Sequence, residues 1–152
     1  MTMKETMSAE LRAIHDGDAW HGPSLKEILA GVTAEQAAAH PLPAAHSIWE
    51  LVLHISAWEN VFLCRLAGEA ITVPKEGDFP PVSDVSDEAW QRALARLDET
   101  HAQLLAAVAA LSEAQWQQIV VGKDYTVEYL LHGIVRHHVY HAGQIALLKK
   151  LI

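Results

Sequence analysis

The sequence has a single cysteine, Cys64, in 152 residues. One thiol excludes an intramolecular disulfide and fits a reducing compartment. Basic residues are scarce: eleven Lys and Arg stand against nineteen Asp and Glu, for a net charge of −8. No basic run exists that could neutralise a row of phosphates, so nucleic acid is not expected as a partner. Long apolar runs are missing as well. None approaches the roughly 20 residues needed to span a bilayer, and no basic segment followed by an apolar stretch opens the sequence. A cytoplasmic protein with no membrane partner is the expectation. Alternating β-branched and polar residues are nearly absent, which leaves little material for a sheet.

What the sequence has instead is helix. A chain of this length fits one domain, taken as 1–152, and buries roughly 70% of its unfolded surface without a disulfide or metal to hold its core. A bound metal is therefore expected to serve function. Met7, Leu11 and Ile14 recur at three- and four-residue spacing and predict a helix over 5–17, closed by Gly17 and the Gly22-Pro23 pair. Ser24 to Leu29 and Thr33 to Gln36 predict one or two turns each, the latter at capping-box spacing. Prolines exclude helix from His40-Pro-Leu-Pro43. Ser47 and Glu50 form another capping box, opening a helix that runs to Leu66 before Gly68. The stretch 71–81 carries prolines, a glycine and mixed charges, and reads as a loop able to cross one end of a bundle and join parallel helices. A third helix spans about 86–110, with Trp90, Leu94, Leu97, Leu104, Leu105 and Val108 on its apolar side. Ser112 to Gln115 caps a brief turn, and Thr126 opens a last helix through Leu148. Four helices of about 20 residues with short ones between predict an all-α four-helix bundle.

Ten histidines are unusual for this length. His15, His21, His40, His46 and His101 fall in loops or on polar helix faces and are expected to be solvated. The last helix differs: Val127, Leu130, Ile134, His137, His141, Ile145 and Leu148 make one stripe, so two histidines hold positions where a bundle wants Leu or Ile. At about 100° per residue, His137 and His141 lie some 40° apart and one turn of roughly 6 Å along the axis, so both rings can reach one ion. His138 points off that stripe, and His132 lies further round. On the second long helix, Leu51, His54, Trp58 and Phe62 share a face, which makes His54 the third candidate ligand. Three neutral imidazoles suit a divalent ion with positions left open, zinc first, with nickel or iron fitting the same donors. Gln144 is placed to bond a ligand or orient a metal-bound water, or else is a satisfied polar residue. Glu50 serves its cap more than His54. Glu59 and Tyr140 are proton-relay candidates off the stripes. Arg65 is too far from His54 to touch a metal and reads as half of a surface ion pair or as a contact for an anionic substrate. Cys64 reads as filler. Most of the five tryptophans are assigned to the core, with Trp58 on a pocket wall.

The stretch Ser47-Ile-Trp-Glu-Leu-Val-Leu-His54-Ile-Ser-Ala-Trp-Glu59, together with His137-His-Val-Tyr-His141-Ala-Gly-Gln144-Ile and Trp20-His-Gly-Pro-Ser-Leu-Lys-Glu-Ile-Leu-Ala-Gly, resembles the DinB family of DNA-damage-inducible proteins and their bacillithiol-transferase-like relatives. The resemblance spans nearly the whole chain. It implies an up-up-down-down bundle with short connecting helices, a homodimer, and a metal on three histidines that map to His54, His137 and His141. It also implies metal-dependent thiol transfer or hydrolysis on a small electrophilic molecule, with a low-molecular-weight thiol as cosubstrate. Two alternatives stand beside this: a metal- or ligand-binding stress protein without turnover, and a purely structural bundle. No catalytic residue is assigned.

Overall fold

The computed structural model describes residues 1–152. Seven helices follow in order: α1 (Met3–Asp16), α2 (Leu25–Leu29), α3 (Ala34–Ala38), α4 (Ile48–Leu66), α5 (Asp87–Ala110), α6 (Glu113–Trp116) and α7 (Val127–Lys149). The long ones start where the sequence supplies caps. Thr2, Ser47, Ser86 and Thr126 each accept a backbone N–H of the first turn, which satisfies donors that have no partner inside the helix. At α4 the box is complete: the Glu50 carboxylate accepts the Ser47 N–H at 2.7 Å. There is no strand, only an isolated bridge between Ile119 and Thr126 ahead of α7.

The four long helices form the expected all-α bundle. α4 and α1 each pack against both α5 and α7, with α1 opposite α4 across the diagonal. Their directions follow from side-chain pairings. Trp49 meets Trp90 and Glu59 meets Thr100, so α4 and α5 run parallel. His54 meets His141 while Glu59 meets His138, so α7 runs against α4; His15 meets Asp98 while His101 meets the Leu11 carbonyl, so α1 runs against α5. The order in sequence is thus up-down-down-up, not up-up-down-down. The cause is the long 67–86 connection, which carries the chain back along the bundle and makes the two middle helices parallel, as its length and prolines suggested.

The apolar core has two parts. One gathers Leu25, Trp49, Ile55, Trp90, Leu97 and Ile145; the other gathers Met7, Leu11, Phe62, Leu104, Leu131 and Ile134. Between them lies a polar layer contributed by every long helix: His15 from α1, His54 and Glu59 from α4, Thr100 and His101 from α5, and His137, His138 and His141 from α7. Burying such groups costs free energy unless each finds a partner. Trp20 departs from the core assignment, being wholly exposed at 102% in the turn after α1. Trp49, Trp90 and Trp116 are buried as expected.

Candidate metal centre

The polar layer divides into two clusters. In the first, His54 of α4 faces His137 and His141 of α7: its Nε2 lies 3.0 Å from Nε2 of each. Zinc–imidazole bonds of about 2.0–2.1 Å put two nitrogens on one ion about 3 Å apart. Outer partners fix the tautomers. The Nδ1–H of His54 donates to the Asp78 carbonyl at 2.6 Å, and that of His141 donates to Gln144 Oε1 at 2.6 Å. With those protons on Nδ1, the Nε2 atoms of His54 and His141 present lone pairs to each other. Facing lone pairs repel, and a cation between them removes the repulsion. Ring N–H groups tied to carbonyl oxygens are also the usual surroundings of metal-bound histidine. Nδ1 of His137 is buried with no partner.

Burial, ahead of the field of the neighbouring rings, holds all three imidazoles below the usual histidine range, His137 down to about 3. They are neutral at physiological pH, the form that binds metal. Phe79, on the long connection, stacks on His54 at 4.1 Å and on His46 at 3.5 Å. That loop therefore supplies both the oxygen that orients His54 and the ring that packs it. The cluster opens onto a cavity of about 540 Å³ walled by Trp58, Phe62, Phe79, Tyr125, Tyr129 and Tyr140, with Gly133 leaving one side free of a side chain. Trp58 stands on the pocket wall as anticipated, its Nε1–H donating to Asp78 Oδ1 at 2.7 Å.

The second cluster is sealed. Glu59 is 0% exposed, and its Oε1 accepts from His101 Nδ1 at 2.9 Å and from His138 Nε2 at 2.8 Å. Thr100 Oγ1 bonds Oε2. The other nitrogens of both rings meet backbone carbonyls: His101 Nε2 at Leu11 and His138 Nδ1 at Ile134, each at 2.9 Å. Burial pushes the Glu59 carboxyl up, but the two imidazoles outweigh it and hold it at about 2. Burial pushes His138 down, and Glu59 outweighs that and raises it. Glu59, His101 and His138 also have the make-up of a donor set for a metal ion.

His21, His40 and His46 are exposed as expected, but His15 and His101 are 3% and 2% exposed. The correction has a physical reason. A helix in a four-helix bundle touches two neighbours, so its buried arc is wider than the apolar stripe; Thr100 and His101 complete that arc on α5, and His138 does so on α7. His15 stacks on His101 at 4.0 Å and bonds Asp98 at 2.8 Å. Glu59 serves this second cluster and does not reach the pocket, whereas Tyr140 stands at the rim, 66% exposed. Glu50 caps α4 and takes His40 at 3.1 Å. Gln144 orients His141. Cys64 does not line the cavity, and burial, with Glu69 beside it, raises its thiol pKa. Arg65 is no surface ion pair. It is buried, and no carboxylate lies within 4 Å of it. Asp78 and Phe79 were not anticipated at all, since a turn residue and its neighbour in a long loop carry no periodic signal.

A family model described as the DinB superfamily matches residues 18–145. Among solved structures, the chain is similar to a conserved protein from Enterococcus faecalis, at 17% identity and a TM-score of 0.73, covering 100% of this chain and 98% of that one. That likeness is one of fold. No curated protein matches.

Proposed function

The chain belongs to the DinB superfamily, and on that footing we propose that it binds one divalent metal ion through Nε2 of His54, His137 and His141, with coordination positions open to the aromatic pocket. The observation that carries the reading is the convergence of the Nε2 atoms, with the Nδ1 protons of two of the rings committed to oxygens. Zinc is the first expectation, and nickel or iron suits the same donors. A bound ion would supply Lewis acidity and lower the pKa of a water or thiol in the pocket. The protein's own groups hold the rings, exclude solvent with Phe79 and Trp58, and shape a space for a small molecule. A metal-dependent thiol S-transferase or hydrolase acting on a small electrophile, with a low-molecular-weight thiol as cosubstrate, is the enzymatic form of this reading. One domain over 1–152, a cytoplasmic location and a homodimer belong to it as well. No helix is long and apolar enough to cross a membrane.

Metal analysis of protein purified without an affinity tag tests it. About one ion per chain is expected in the wild type, and none in His137→Ala or His141→Ala, with helix content retained. Unchanged metal content in both variants would overturn the assignment. One observation favours a second reading, a metal- or ligand-binding stress protein without turnover. The buried carboxylate nearest the centre, Glu59, is committed to His101 and His138, and the one carboxylate of the pocket lining, Asp78, accepts from Trp58 and stands by Nδ1 of His54, away from the converging Nε2 atoms. Steady turnover of thiol and electrophile that a chelator abolishes would exclude that reading.

A further inference from the structure

Arg65 is 7% exposed and lines the same cavity as the three histidines. A buried guanidinium ordinarily sits against a carboxylate, because an uncompensated charge out of water is costly. Here its partners are neutral oxygens. Nε–H donates to the Ile71 carbonyl at 3.1 Å, an Nη2–H to the Thr72 carbonyl at 3.1 Å, and an Nη1–H reaches the Tyr125 hydroxyl at a long 3.4 Å. A guanidinium has five N–H donors in a planar fork, so two remain without a protein acceptor. The Trp58 ring lies 5.7 Å from the guanidinium carbon and 6.3 and 6.2 Å from the His54 and His137 rings. A single indole is thus near both the cation and the imidazoles. The single acid in the lining, Asp78, sits at the histidine end, with its Oδ1 accepting from Trp58. The rest of the wall is aromatic apart from Leu130 and Gly133.

We propose that Arg65 is the anion-recognition residue of this pocket, and that its ligand is an organic anion with an apolar body. The carboxylate, or a group of like charge, takes the free N–H pair of Arg65. The apolar body lies along Trp58 among Phe62, Tyr125 and Tyr129, and the far end points to the Nε2 atoms. The inference rests on the pocket being the ligand site. It requires no particular metal.

Calorimetric titration with phenylacetate against phenylacetamide tests it, on zinc-loaded protein and again in chelator. Losing a charge-assisted bidentate contact costs about ten- to a hundredfold in affinity. Phenylacetate should therefore bind at least about tenfold tighter than the amide in both states. In Arg65→Gln that ratio should fall to about one while zinc stoichiometry stays unchanged; Arg65→Lys, which keeps charge without the fork, should fall between. Equal affinity for acid and amide in the wild type, or no binding of either, overturns the proposal even if Arg65→Gln fails to fold. An undiminished ratio in Arg65→Gln also overturns it and leaves Arg65 as an anchor of the 67–86 loop. A retained ratio in His137→Ala protein that binds no zinc separates this inference from the metal reading.

Discussion

His137 and His138 are neighbours in sequence, yet their rings enter two clusters of opposite electrostatic character. Around His138, Glu59 supplies a negative charge, and the His138 ring holds its extra proton against burial. Around His137 the one nearby carboxylate is the exposed Asp78, 3.4 Å from His54 Nδ1, and burial outweighs it and keeps all three rings neutral. The same side chain is thus a proton holder on one side of α7 and a lone-pair donor on the other, and a single carboxylate decides which. The neutral cluster can bind a cation, whereas the protonated one ties α1, α4, α5 and α7 together.

The largest expected effect follows from removing that carboxylate. Glu59→Ala leaves two buried rings and Thr100 without their acceptor, and breaking a buried pair of this kind costs about 3–5 kcal/mol. For a domain of this size the melting temperature should fall by roughly 6–20 °C. His137→Leu, measured beside it in chelator, should cost less, because it removes an unpartnered Nδ1 and breaks no contact to a carboxylate. Comparable losses in the two variants would mean that the clusters do not differ in this way.

Metal is the next lever. An ion that binds only the folded state at 100 times its Kd stabilises by about 2.7 kcal/mol. Zinc should then raise the wild-type melting temperature by roughly 5–11 °C, a chelator should reverse the rise, and His137→Leu should show none. A stoichiometry of one ion per chain keeps the distinction between the clusters. Two per chain would mean that Glu59, His101 and His138 also take a divalent ion. Gln144→Ala should act more gently, weakening zinc affinity about 10- to 100-fold while leaving the metal-free melting temperature nearly unmoved, since the residue orients a ligand without being one.

How legible these clusters were in sequence depends on the element that carries them. The open cluster was readable because His54, His137 and His141 interrupt apolar stripes with the period of a helix, and the caps at Ser47 and Thr126 set the phase of both helices. The sealed cluster was not readable, because burial in a bundle is a property of pairs of helices. His101 looks polar-facing on α5 alone and becomes core only when α1 lies against it. The resemblance to the family identified the fold class but not the order of helix directions, which depends on where the 67–86 loop carries the chain. Asp78 and Phe79 belong to that loop, and loop geometry leaves no periodic trace. Arg65 was placed correctly along α4, but its lack of an acid partner is a fact of three-dimensional packing.

The finest test of the comparison is its pH dependence. Glu59 has a folded pKa of about 2, whereas an unfolded Glu titrates near 4.3. A depressed carboxylate stabilises the fold above its unfolded pKa, and that contribution is lost as the pH falls toward the folded value. The stability advantage of wild type over Glu59→Gln, measured by urea unfolding in chelator, should therefore decline as the pH rises above about 6.5, where His138, whose pKa Glu59 raises, begins to give up its proton, and should hold down to about pH 5. Below that it should narrow by at most about 1.4 kcal/mol per pH unit, the limit for one proton. His137 is held down at about 3 while an unfolded histidine titrates near 6.5, so the difference between wild type and His137→Leu should already narrow from about pH 6 downward, before any carboxylate titrates. A gap for Glu59→Gln that stays constant down to pH 3 would mean that the carboxyl is already protonated in the fold, and that the two clusters differ in packing and not in charge.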